Sequence, residues 1–152
     1  MIADLTQVSQ SANAAVSLVI ACTIFLHQLV TKYVAIGDRL RQLTDELRQH
    51  DDEGHRHHSL REQVGLYHDR AQTIRRALFW LAIAEFAFIV VIVLSVLDIV
   101  VPGHTAIKAA GIGFTLFGLA LIAVAIGLEI YENSQFRVAL DKEVADLVDQ
   151  PQ

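Results

Sequence analysis

ALFWLAIAEFAFIVVIVLSVLDIVV, running from Ala77 to Val101, is the stretch that decides the fold class. It holds 25 residues, of which only Glu85 and Asp98 are charged. A helix needs about 20 apolar residues to cross the hydrocarbon core of a bilayer. A second such block follows at once. Ala106 to Ile130 reads AIKAAGIGFTLFGLALIAVAIGLEI, with Lys108 and Glu129 near its two ends. Only Pro102-Gly103-His104-Thr105 separates the two. Proline and glycine stop one helix and turn the chain, so the pair reads as a tight helical hairpin across a membrane.

A weaker block precedes them. Ala12 to Leu26 is apolar apart from Asn13, Ser17 and Thr23, then His27, Gln28, Thr31 and Lys32 intervene before Tyr33-Val34-Ala35-Ile36. A cleaved signal peptide is the competing reading, but that needs a basic leading region, and residues 1–31 contain no Lys or Arg. The block therefore reads as a retained span with polar side chains inside it.

The whole chain of 152 residues is 53% hydrophobic and 19% charged. A soluble domain averages roughly 45–50% and about 25%, so the excess matters through its concentration in three blocks. Disorder and a collagen-like repeat are excluded. With Cys22 as the one cysteine there is no internal disulfide. A net charge of −5 gives a nucleic-acid partner no electrostatic support.

Basic residues near the span ends set the orientation. Residues 37–76 carry eight arginines: Arg39, Arg41, Arg48, Arg56, Arg61, Arg70, Arg75 and Arg76. The 102–105 turn and the N-terminus carry none, whereas Arg137 and Lys142 follow the third block. The expectation is an inner-membrane protein with its N-terminus outside and its C-terminus inside. Its parts are a periplasmic segment 1–11, a first span 12–36, a cytosolic helical hairpin 37–76, a second span 77–101, an outer turn 102–105, a third span 106–130 and a cytosolic helix 131–152.

The cytosolic part is patterned. Ile36, Leu40, Leu43 and Leu47 form one helical stripe that continues the first span. After a charged turn at 50–58, Ser59-Leu60-Arg61-Glu62 has the form of a capping box. Leu60, Val64, Tyr67, Ala71 and Ile74 then run into the second span. Facing heptad-like stripes joined by a turn predict an antiparallel, coiled-coil-like stalk. Phe136, Leu140, Val144 and Leu147 would add a third helix. The competing reading lays each amphipathic piece on the lipid surface.

The sequence resembles a bacterial family of small three-span membrane proteins known only as a domain of unknown function. The residues that carry the resemblance are Ile36-Gly37-Asp38-Arg39-Leu40-Arg41 after the first span, the Arg75-Arg76 pair before the second, and a Gly-rich third span closing on Leu128-Glu129-Ile130. It covers nearly the whole chain. It implies a topology and no activity.

Ionisable groups inside a membrane are costly and mark pathways or pairs. Glu85 lies nine residues from Arg76, about 13 Å along a helix. His27 lies eleven residues from Asp38, about 16 Å, so antiparallel helices would set the two level. Such a pair, with Thr31, passes a proton or coordinates a cation, or else simply ties two helices together. If the inner boundary lies at Lys32 instead, His27 is shallow and the pathway reading weakens. Asp98 and Lys108 are expected to form a salt bridge beside the outer turn. Glu129, level with Arg39, Arg41 and Arg76, is expected to form an interfacial ion-pair cluster.

Small residues recur every seven positions in the third span, at Gly111, Gly118 and Ala125 and again at Gly113, Ala120 and Gly127. Small residues let membrane helices approach closely, so one stripe is expected to pack within the subunit and the other against a copy in a homo-oligomer. His55, His57 and His58 beside Asp51, Asp52 and Glu53 form the one metal-like cluster, although their spacing matches no zinc signature and a solvated hairpin tip is the simpler account. No cofactor is implied, and no phosphate loop, nucleophile elbow or cysteine pair points to catalysis by this chain. Two function classes remain. One is an oligomeric proton or cation pathway lined by Glu85, His27 and Thr31. The other is a non-conducting scaffold or sensor whose stalk binds a cytosolic protein partner.

Overall fold

Long runs without an internal proline let each apolar block extend into its polar neighbour as one helix. The computed structural model describes residues 2–49, 55–101 and 103–148, with side chains at Gln10, 13–48, His58, 60–101 and 103–136. Three helices account for them: α1 Ile2–Gln49, α2 His55–Val100 and α3 Thr105–Val148. They contain 48, 46 and 44 residues. At 1.5 Å per residue each is roughly 66–72 Å long, more than twice the apolar thickness of about 30 Å. All three are long and apolar enough to cross a membrane, and no strand occurs among the described residues.

The α2–α3 connection is short because Gly103 adopts φ +97°, a left-handed conformation that side-chain-bearing residues avoid. The Val101 amide still donates to Leu97 O at 2.9 Å. On the other side, Ile107 N donates to His104 O at 3.1 Å and opens α3. Pro102 and the 50–54 connection lie outside the described residues.

Two compact units divide the chain close to where its composition changes from apolar to charged. The first comprises Met1–Gln28 and Leu78–Ala125. Its core consists of Ala15 and Cys22 from α1, Leu81, Ala84, Ala87, Phe88 and Val91 from α2, and Leu121 and Ala125 from α3. Large apolar side chains such as Ile20, Ile24, Phe86, Val93, Leu116 and Phe117 point outward. That inversion is the arrangement a lipid solvent favours, because hydrocarbon exacts no cost for exposed apolar surface. Hydroxyls in these helices bond one turn back: Ser17 to Asn13 O, Ser95 to Val91 O and Thr115 to Gly111 O, at 2.8–2.9 Å. This is how α1 carries polar residues through an apolar stretch.

Close packing in this unit centres on Gly118. A Cβ built there would stand 2.8 Å from the Phe88 ring, closer than real contacts allow. At Gly111, Gly113 and Gly127 the same construction meets nothing within 4 Å. Gly118 and Ala125 are buried and Gly111 half-buried, whereas Gly113, Ala120 and Gly127 are exposed.

The second unit comprises Leu29–Ala77 and Ile126–Gln152. Its buried apolar residues are Leu29, Ile36 and Leu43 from α1 and Leu60, Ile74 and Ala77 from α2. Leu29, Ile36 and Leu43 stand seven residues apart, and Leu60 and Ile74 fourteen. Arg70 and Glu132 are buried among them. Phe136 is described, but the Leu140, Val144 and Leu147 side chains lie outside the described residues.

Candidate functional site: a buried carboxylate between two cations

Glu132 stands seven residues after Ala125 and fourteen after Gly118, on the inward series of α3. Helical geometry therefore carries it into the interior of the second unit, where its side chain is wholly buried. A charge there must be paired and hydrogen-bonded. Arg70 of α2, on the inward heptad series with Ala77, Ala84 and Val91, meets it. Both Arg70 Nη2 and Nε donate to Glu132 Oε1, at 2.7 and 2.8 Å.

Two rings close over the guanidinium. Arg70 Cζ lies 5.2 Å from the Tyr67 ring centroid and 4.6 Å from that of Phe136. Planar Arg suits such stacking. The other carboxylate oxygen, Oε2, accepts no well-aligned hydrogen bond but faces the Lys32 ammonium of α1 as an ion pair. Lys32 Nζ also donates to Asn133 Oδ1 at 2.6 Å. One carboxylate of α3 thus ties down a cation from each of the other two helices.

The expected interfacial cluster is placed differently. Glu129 is half-buried and makes no ion pair with Arg39, Arg41 or Arg76 among the described residues. Arg41 pairs with Asp38 on its own helix at 3.6 Å, Arg39 donates to Gln42 at 3.3 Å, and Arg76 is exposed. The carboxylate that gathers cations is Glu132, three residues later. Glu129 lies on a half-buried flank of α3, and the heptad position belongs to Glu132.

In the first unit, Glu85 is half-buried on the flank of α2. Thr23 Oγ1 donates to Glu85 Oε1 at 2.7 Å and approaches Val19 O at 2.9 Å. Thr23 lies one turn before His27 on α1. His27 and Thr31 are exposed on α1. Near the turn, Lys108 Nζ lies 3.9 Å from Asp98 Oδ2, with Lys108 exposed and Asp98 half-buried. Asp98 Oδ1 is buried without a hydrogen bond.

No group of three or more His, Cys, Asp or Glu residues is placed to hold a metal among the described residues. His58 is exposed; the side chains of His55 and His57, with Asp51, Asp52 and Glu53, lie outside the described residues.

Three apolar helices, their outward hydrophobic faces and charged continuations define a small helical membrane protein. The chain belongs to the family described as Protein of unknown function (DUF2721), whose model matches residues 12–135. No curated protein and no solved structure matches it.

Proposed function

We propose that the protein is a non-enzymatic, non-conducting scaffold or sensor of the bacterial inner membrane. Its N-terminus lies outside, and its charged helical stalk projects into the cytosol to bind a protein partner. The observation that carries this reading is the Thr23–Glu85 hydrogen bond, which gives one oxygen of this carboxylate a donor within its own subunit. A carboxylate tied to a neighbouring helix serves assembly, whereas a conducting group must be free to exchange partners. Glu132 supports the same view, being enclosed by Arg70 and Lys32. The arginine asymmetry supports the orientation.

The second reading is an oligomeric proton or cation pathway. It is favoured by the exposure of Thr23, His27 and Thr31 on α1, which an oligomer would gather around a shared lumen. Flux in proteoliposomes separates the two. The scaffold requires proton and cation flux at the empty-liposome baseline across pH and membrane potential, for wild type and Glu85→Gln alike. Wild-type flux that Glu85→Gln removes while assembly persists would establish the pathway instead.

A further inference from the structure

We propose that Lys32 and Asn133 hold the phosphate of an anionic phospholipid at the seam between α1 and α3. Lys32 and Arg70 converge on the single carboxylate of Glu132, which leaves the cluster at 2 − 1 = +1. Glu129, one turn earlier on α3, makes no ion pair with either cation.

Arg70 and Glu132 are sealed from solvent, whereas the Lys32 side chain is 29% exposed. Lys32 is therefore the member of the cluster that an anion from outside can approach. Asn133 is exposed beside it, and its Oδ1 is occupied in accepting from Lys32. What the Asn133 side chain still offers is its amide N–H groups. An ammonium next to an amide donor selects an anion with several acceptor oxygens and rejects a cation.

Lys32 falls in the polar stretch His27–Lys32 near the inner end of the first block, and Glu132 comes two residues after Ile130, where the third block ends. Their ion pair sets Lys32 level with the polar end of the third block. A lysine at such a boundary extends its ammonium toward headgroups, where phosphodiester oxygens are the abundant anions.

The test uses the full chain in detergent, titrated with phosphatidylglycerol, phosphatidylcholine or inorganic phosphate. Lipid adducts are counted by native mass spectrometry and stability is followed by thermal melting. Phosphatidylglycerol should bind in preference to phosphatidylcholine and raise the melting temperature, and inorganic phosphate should not substitute for it. Lys32→Gln should lower that preference about fivefold, the scale of one charge contact at a membrane surface. Asn133→Leu keeps the buried ion pairs and should lower it in the same direction, so it carries the test if Lys32→Gln does not fold. Arg75→Gln/Arg76→Gln, at exposed positions on α2, should leave the preference intact. The proposal is overturned if Asn133→Leu keeps the full preference, or if the double arginine change abolishes it, which would mean a diffuse basic surface. Equal stabilisation by inorganic phosphate would overturn the lipid assignment in favour of a soluble anion.

Discussion

Arg70 and Glu132 meet through one oxygen: Nε and Nη2 of the guanidinium both donate to Oε1, which leaves Oε2 to Lys32. The arrangement joins all three helices of the second unit through a single side chain. It is also directional. Truncating Glu132 strands two cations, whereas truncating Lys32 leaves the Arg70 pair intact. The cost of each loss should follow that order.

Glu132→Leu should therefore be the most destabilising single change in the second unit. Breaking a buried pair by removing one partner costs about 3–5 kcal/mol, because the remaining charge stays buried without compensation. Arg70→Met should cost a similar amount. The double change Arg70→Met/Glu132→Leu should cost much less than the sum, since it removes both charges together. Thermal melts of the four proteins in one detergent test this, and simple additivity would show that the pair is not coupled.

Gly118→Ala should also destabilise, by about 1–3 kcal/mol, because the new methyl group meets the Phe88 ring at 2.8 Å. Phe88→Leu in the same chain should recover part of the loss. Gly113→Ala and Gly127→Ala have open space and should be neutral or stabilising. The same melts decide, and a Gly118→Ala protein as stable as wild type would contradict the packing described. Gly113→Leu and Gly127→Leu ask a separate question. If the exposed stripe is a contact between copies, both should shift the detergent-solubilised protein toward monomer in analytical ultracentrifugation.

Much of this fold is legible in spacing alone. Ile36, Leu43, Leu60 and Ile74 fall on the stripes that periodicity selects, and all four are buried. The inward turn of Gly118 and Ala125, with Gly111 half-buried and the partner series outward, follows from heptad geometry. The same count by seven reaches Glu132 one step later, so the signal for the buried carboxylate lies in the sequence. It is masked because charge near a span end reads as interfacial, and eight arginines in one segment read as a topology signal. Which of them turns inward depends on Arg70 sharing a heptad series with Ala77 and Ala84. Lys32 is harder: it meets Glu132 across one hundred residues of chain, a tertiary contact that no local pattern encodes. Thr23 and His27 are one turn apart on α1, so a depth estimate uncertain by about 5 Å cannot choose between them as the neighbour of Glu85.

Topology yields a direct expectation. A reporter fused after Gln152 should be cytosolic, and one inserted at Gly103 should be periplasmic, because basic residues flank the other ends of the spans. Reporter activity or cysteine labelling from outside the cell reads both positions. A periplasmic Gln152 would overturn the orientation, and with it the cytosolic assignment of the stalk.

The Thr23–Glu85 contact gives the last prediction. If the hydroxyl serves to satisfy a carboxylate within the subunit, Thr23→Val should destabilise the protein by about 0.5–1.5 kcal/mol, the range for an ordinary hydrogen bond at a half-buried site. Thr23→Ser keeps the donor and should recover most of that loss. Glu85→Gln should cost less than Thr23→Val, since its amide oxygen still accepts from the hydroxyl and no charge is buried. Combined with Thr23→Val it should add less than the separate effects, because the two changes remove the same bond. His27→Ala, one turn along α1, should be additive with Glu85→Gln if Thr23 alone serves the carboxylate. Melting curves of this set in a single detergent provide the measurement. Strong coupling of Glu85 to His27 and none to Thr23 would mean that the carboxylate serves His27 instead, and would return the pathway reading to the front.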